Sequence, residues 1–357
     1  MLRRHCATRP LSQLVKGFTG TRMSSGFTGD SGRIYTNSHL LRRHPLDSQF
    51  DIFKAHYDHC TDSSGRSADT DKHFVWKHVP RREFDLAQRI ANELPSSQHL
   101  RMHIDCNTEQ SILVFEHFQD TLLSLIKDNP ELSPDERPKI MRSVGEAIDE
   151  LHSQDWVHTD IKPDNVFVNW TCDQAGNKVI TRTVLGDFDI ACKLEDGETR
   201  ITPHAVGNVM WRSPEAQACM ANKATDIYSL GLVYIHALGG GELLIVEDWK
   251  ELIEAGFPLE QDIVTKHFCY FGPVPEALYE HIRDEDWRRA FRSAAQAADA
   301  EVIERPEMRM QYWTQELGAS TFDLLSQLTN LDPGGRPNIG QVLAHPYWKD
   351  SLPQKGA

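Results

Sequence analysis

Paired cysteines are missing from this sequence of 357 residues. Its seven cysteines are scattered from Cys6 to Cys269, the count is odd, and no two stand in a CxxC arrangement. That argues against a disulfide-stapled scaffold and a cysteine zinc site, and points to reduced thiols in an intracellular setting, cytoplasmic or nuclear. A basic surplus is missing as well. With 38 Lys and Arg against 52 Asp and Glu, the net charge of −14 excludes nucleic acid as an expected partner. Nor is there a long uninterrupted apolar run. The nearest approach, Ile227–Val246, contains His236, Glu242 and four glycines, so it reads as a buried core helix followed by a turn, and no membrane partner is expected. Residues 1–29 lack acidic side chains altogether and carry five Lys or Arg. Leu11, Leu14, Val15 and Phe18 follow helical spacing there, with Arg9 and Lys16 interleaved. This fits a mitochondrial transit peptide, or a disordered basic leader, which Pro10, Gly17 and Gly20 support.

What is present divides into a strand-rich front and a helical rear. "DIFKAHY" and "KHFVWKHV" carry the β-branched and aromatic residues of strands, and the polar "DHCTDSSGRSADTD" between them reads as a hairpin loop. A helix is expected over roughly Arg81–Leu94, then a buried strand in "SILVFEHF". Another helix is expected to begin at Ser133, with Ser133 as N-cap, Pro134 in the first position and Glu136 as reciprocal cap. Ile140, Val144, Ile148 and Leu151 would line its buried face.

Phosphoryl transfer from ATP needs metal ligands, a lysine to neutralise phosphate charge, and a carboxylate to orient the attacking hydroxyl and accept its proton. These groups occur in order. Lys77 lies inside the strand "FVWKHV", Asp160 and Asn165 lie between a helix and the strand "NVFVNW", and Asp187 follows a strand in "VLGDFDIA". At this point the chain, from about Arg33 to Trp348, resembles the eukaryotic protein kinase superfamily. "HTDIKPDN" resembles the catalytic-loop pattern, "GDFDIA" the metal-binding DFG pattern, and "WRSPEA" the APE pattern. "TDIYSLG" is similar to the start of the buried central helix, and "NLDPGGRPNIGQVLAHPYW" to the closing stretch of the domain. "VFEHF" and "CYFGPVPE" lean toward the Ser/Thr branch near the cyclin-dependent kinases.

The resemblance implies an α+β, bilobal fold. A leader over 1–29 would precede a domain over 30–350, with a small β-rich lobe at about 33–117 and a larger helical lobe at about 118–350. It implies ATP and Mg2+ as cofactors and a protein as substrate. Asp160 would be the base and Lys162 would contact the transferred phosphate. Asn165 and Asp187 would hold magnesium, and Lys77 would grip the α- and β-phosphates. Glu116 and Phe118 would offer backbone groups to adenine, with Phe115 as gatekeeper. Glu215 would pair with Arg336, and Asp226 would accept hydrogen bonds from the catalytic-loop backbone. His158 reads as a packed structural histidine. A glutamate on the following helix should pair with Lys77. Glu83 falls roughly 40° from the centre of the stripe Ala87, Ile90, Ala91 and Leu94, whereas Glu93 falls roughly 120° away. Glu83 is preferred, although it lies only six residues past Lys77 and Glu93 has the more usual separation.

The chain departs from the pattern at four places. "LLRRHPLDSQFDIFKA", where a glycine-rich loop should cover the phosphates, has no glycine, and Asp51 there would repel phosphate. Thr159 replaces the arginine that normally receives an activation-loop phosphate. Asp189 replaces the DFG glycine, and Asn208 stands where a threonine is usual. An active Ser/Thr kinase is the leading expectation. A pseudokinase binding module is the alternative, and a small-molecule phosphotransferase is opposed by the "TDIYSLG" and "DPGGRP" stretches.

Overall fold

The computed structural model describes residues 26–44, 46–57, 72–241, 243–244 and 259–351. The transit-peptide pattern over residues 1–25, the hairpin loop over 58–71 and the end of the Ile227–Val246 stretch lie outside the described residues.

Six strands form one antiparallel sheet: β1 (Phe27–Thr28), β2 (Ile34–Arg42), β3 (Ile52–Tyr57), β4 (His73–His78), β5 (Asp105–Asn107) and β6 (Ile112–Glu116), in the order β1-β2-β3-β4-β6-β5. Side chains on a strand alternate between faces, and here both faces are apolar. Phe74 and Trp76 of β4 join Tyr35, Ala55, Ile112 and Val114 on one face. That layer is closed by Phe27, stacked on Tyr35 at 5.2 Å, and by Phe53, stacked on Trp76 at 4.7 Å. Val75 and Lys77 take the opposite parity, which faces helix α1 (Arg81–Glu93) and the cleft. Phe27 and Thr28, counted with the leader in the sequence, are thus part of the sheet.

Helix α1 buries Phe84 against Val79 and Leu113, and Ile90 against the main core. Beyond the sheet, β7 (Asp120–Thr121) leads into α2 (Leu122–Asp128), capped by the Thr121 hydroxyl. Helix α3 spans Arg137–His152 rather than starting at Ser133. Pro138 gives the reason. It occupies the first turn, where no N–H is needed; in a helix starting at Ser133 it would sit in the second turn and break a hydrogen bond. The Glu136 carboxylate accepts from Ile180 N at 2.8 Å and Lys139 Nζ at 2.5 Å instead of capping the helix. Ile140, Val144, Ile148 and Leu151 are buried as expected.

After the short helix α4 (Pro214–Gln217), helix α5 (Lys223–Ile235) is the central element of the helical part, buried from Thr225 through Ile235. An apolar surface all round a helix demands a core position, and α5 sits in the same large cluster as α3 and the helix at 319–328. No helix among the described residues is long and apolar enough to cross a membrane. The five cysteines among the described residues are free thiols. A β-rich small part and a helical large part make the bilobal α+β architecture that the sequence implied.

Candidate active site

A cavity of about 520 Å³ separates the sheet from the helical part, within the size range of small-molecule sites. Lys77, Glu83, Phe118, Asn165 and Asp187 line it together. The strand order places Lys77 there, because β4 pairs with β3 at Ile52 and with β6 at Leu113.

The floor is the segment between β8 (Trp156–Val157) and the hairpin of β9 (Val166–Cys172) with β10 (Lys178–Leu185). Asp160 sits in this segment, fixed from both oxygens. Its Oδ1 accepts from Asn208 N at 2.8 Å, and its Oδ2 accepts from Lys162 Nζ at 2.5 Å and Asn165 Nδ2 at 3.2 Å. Asn165 Nδ2 also donates to Asp160 O at 2.9 Å, so both amide hydrogens point at Asp160. Asn208 therefore reaches Asp160 through its backbone, while its side-chain oxygen accepts from Met210 N.

Beneath this loop the Asp226 carboxylate, almost wholly buried, accepts from His158 N at 2.8 Å and Thr159 N at 2.9 Å. Thr159, a β-branched residue, holds φ at 66°, and Asp187 holds φ at 68°. Such values are costly for residues with a Cβ and persist where surroundings enforce them. For Thr159 the enforcing contacts are Asp226 and the bond from its hydroxyl to Ile190 O. His158 is fully buried. Its Nδ1 accepts from Asp160 N and its Nε2 lies 3.1 Å from Gly186 O, a supporting rather than reactive position.

Lys77 does not pair with Glu83 or Glu93. Its Nζ lies 2.9 Å from Asp187 Oδ1 and 2.8 Å from Asp189 Oδ2. The extra carboxylate at Asp189 supplies the partner that a helix glutamate would otherwise provide. Burial opposes the Lys77 charge, but the two carboxylates outweigh it and hold the ammonium above its usual range. Burial also opposes ionisation of Asp187, yet Lys77 holds that carboxyl well below the usual range. The Glu83 carboxyl is raised, first by burial and then by the nearby Asp189 charge. Glu93 is engaged elsewhere, with Lys193 Nζ at 2.7 Å, Arg89 Nε at 3.0 Å and Trp156 Nε1 at 2.9 Å.

Asp51 is buried. Its Oδ1 accepts from His44 N at 2.8 Å, so the carboxylate closes its own loop. Leu41, Arg42 and Ile52 form the cavity roof near that loop. At the hinge end, Phe118 is buried beside Phe167, but the Glu116 carbonyl expected to face adenine accepts from Arg101 Nη2 at 2.8 Å. Arg101 carried no signal in the sequence, because it lies in a loop after α1 where no periodicity applies. Arg42 was hidden for a similar reason, as an exposed residue at a strand end.

Magnesium takes oxygen ligands and completes its shell with waters and phosphate. The free oxygen of Asn165 and the Asp187 carboxylate at the cavity wall fit that requirement. Among the described residues no group of three or more His, Cys, Asp or Glu could hold a metal alone.

The sequence of the protein kinase domain family matches residues 62–348. The glycine-free roof, residues 40–55, precedes that match. Among curated relatives, the serine/threonine-protein kinase PrkC of Bacillus subtilis is 36% identical over 130 residues, 36% of this chain and 19% of the relative. Human (Homo sapiens) cyclin-dependent kinase-like 5 is 26% identical over 239 residues, 66% of this chain and 22% of the relative. Mitogen-activated protein kinase 4a of Physcomitrium patens is 24% identical over 243 residues, 68% and 57% respectively. The chain thus spans less than two thirds of each of these relatives. A solved structure of the CAK complex from Chaetomium thermophilum bound to ATP-gamma-S is similar in fold, with a TM-score of 0.61 over 90% of this chain and 93% of that one at 18% identity. The strand order, the buried α5, the Asp160–Asn165 loop and the family match over 62–348 agree: the chain belongs to the protein kinase domain family.

Proposed function

We propose that this chain is an active Ser/Thr protein kinase that transfers the γ-phosphoryl group of ATP to a protein hydroxyl, with Mg2+. The observation that carries the proposal is the Asp160 carboxylate held by Lys162, Asn165 and the Asn208 N–H, with Asn165 and Asp187 at the cavity wall. Asp160 orients the substrate hydroxyl and accepts its proton. Lys162, 2.5 Å from Asp160, would contact the transferred phosphate. Asn165 and Asp187 would hold magnesium, which supplies charge neutralisation on the phosphates when bound. Lys77 leaves one of its two carboxylates to grip the α- and β-phosphates. Phe118 and Phe115 would bound the base pocket, and Glu83 lines the same cavity as Lys77.

A pseudokinase, a nucleotide-binding or scaffolding module, is the second reading. Two observations favour it: the roof loop has no glycine, and Lys77 is held by both Asp187 and Asp189.

Substrate class is tested with a peptide library presenting Ser, Thr and Tyr separately, incubated with the protein, Mg2+ and ATP, with GTP in parallel. Label on Ser and Thr peptides is expected. Label confined to Tyr peptides contradicts the Ser/Thr assignment, and label on none supports the pseudokinase.

A further inference from the structure

Arg101 changes the chemistry of the base pocket. Its backbone is fixed by the bond from its N–H to Leu185 O at 2.7 Å, which carries the side chain under the hinge strand β6. Gly186 makes the seat. A Cβ there would come within 2.9 Å of Arg101 Cβ and 3.1 Å of Phe167 Cε2, tighter than side chains tolerate. The guanidinium lies over the Phe167 ring, 4.0 Å from its centroid, and 5.0 Å from the Phe115 centroid.

Three features of its hydrogen bonding are unusual. Nη2 donates to Glu116 O at 2.8 Å. Nε is buried without any partner, a costly state for a guanidinium nitrogen. No carboxylate comes within ion-pair distance among the described residues, so burial depresses the guanidinium to about 10. Apart from Glu116 O, the guanidinium has no hydrogen-bond acceptor among the described residues. The cavity of about 520 Å³ remains with Arg101 as part of its wall, so the side chain lines the pocket without filling it.

Guanidinium presents only donors. The exocyclic amine of adenine is also a donor, so it would meet the guanidinium donor to donor and share the Glu116 carbonyl with it. A 6-oxopurine presents two adjacent acceptors, O6 and N7, the edge that arginine grips with two parallel bonds. We infer that this pocket takes a 6-oxopurine nucleotide, such as a guanosine or inosine triphosphate, in preference to an adenine nucleotide, with Arg101 as the residue that sets the choice. The inference rests on the phosphoryl-transfer reading of the same site.

The test is equilibrium binding to the full chain with Mg2+, measured by calorimetry for ATP, GTP and ITP. ITP carries O6 but no 2-amino group, so it isolates the contact with Arg101. GTP and ITP are expected to bind roughly tenfold to a hundredfold more tightly than ATP, the range a good bidentate contact confers. Arg101→Met keeps the length and apolar packing but removes the donors, and is expected to abolish that preference; thermal melting checks that it folds. The wild-type comparison stands even if the variant does not fold. ATP binding as tight as GTP or tighter overturns the base assignment alone. An unchanged preference in a folded Arg101→Met overturns it too. Failure of all three nucleotides to bind overturns both this inference and the phosphoryl-transfer reading.

Discussion

His267 shows how one buried group sets a property of the whole chain. It is 1% exposed, and its Nδ1 lies 2.7 Å from the Tyr228 hydroxyl. Burial, with the positive charges of Arg336 and Arg212, pushes its pKa down to about 3. In the unfolded chain an ordinary histidine titrates near 6.5. The folded state therefore binds this proton less readily than the unfolded state. The contribution of His267 is fully present above pH 6.5 and is lost as pH falls from 6.5 toward 3. At about 1.4 kcal/mol per pH unit, roughly 2 kcal/mol disappears between pH 6.5 and 5. Urea unfolding of wild type and His267→Gln at pH 7 and pH 5 checks this. The wild type is expected to lose about 2 kcal/mol more than the variant; parallel losses would contradict the assignment. At the same scale, Asp160, Lys162, Asn165 and Asp187 could be singled out because each stands at a fixed offset within a short motif, and Lys77 only because it lies in a strand ahead of those motifs. The partner of Lys77 was not. Helix geometry ranked Glu83 over Glu93, but a carboxylate at Asp189, two residues past Asp187, lies closer than either. Angular position on a helix does not report which charge a neighbouring loop brings in.

Elements were legible where a period was long enough to count. Helix α1, helix α3 beyond its first turn, and strands β3, β4 and β6 follow their apolar patterns. Strand β1 has only two residues, too few for any period, and is held by the Phe27 stack and by Asn107 Nδ2 donating to Thr28 O. The start of α3 was misplaced because a good cap signal at Ser133 competed with Pro138, and helical hydrogen bonding favours the proline in the first turn. One ion pair joins elements far apart in sequence. Arg336, in the turn before the helix at 339–343, makes two bonds to Glu215 of the short helix α4 (Pro214–Gln217), and both side chains are wholly buried. Arg336 also donates to Asn330 O and Ala224 O and lies over the Tyr228 ring. Removing one partner strands a buried charge, so Glu215→Ala is expected to cost about 3–5 kcal/mol. Denaturant titration measures this, and a loss below about 1 kcal/mol, the size of an exposed pair, would contradict the structural role.

Across the whole molecule, the bilobal architecture could be read because its motifs recur in a set order, and the cleft followed from that order. What sequence could not supply was the content of the cleft. The hinge carbonyl of Glu116, the seat made by Gly186 and the guanidinium of Arg101 come together from three segments distant in the chain. Sheet and helical parts meet at Lys77, Asp187 and Asp189, a charge cluster that spans the cleft before any nucleotide enters. On the proposed phosphoryl-transfer reading, nucleotide phosphates and magnesium would compete for these groups. Asp160 is the proposed base of phosphoryl transfer. The direct measurement is intact mass after incubating purified wild type and Asp160→Asn with Mg2+ and ATP, with GTP in parallel. The general base typically contributes about 10²–10⁴-fold. Added phosphate is expected on the wild type and none on Asp160→Asn over the same time. Equal labelling of the two, or none on either with both nucleotides, would contradict it.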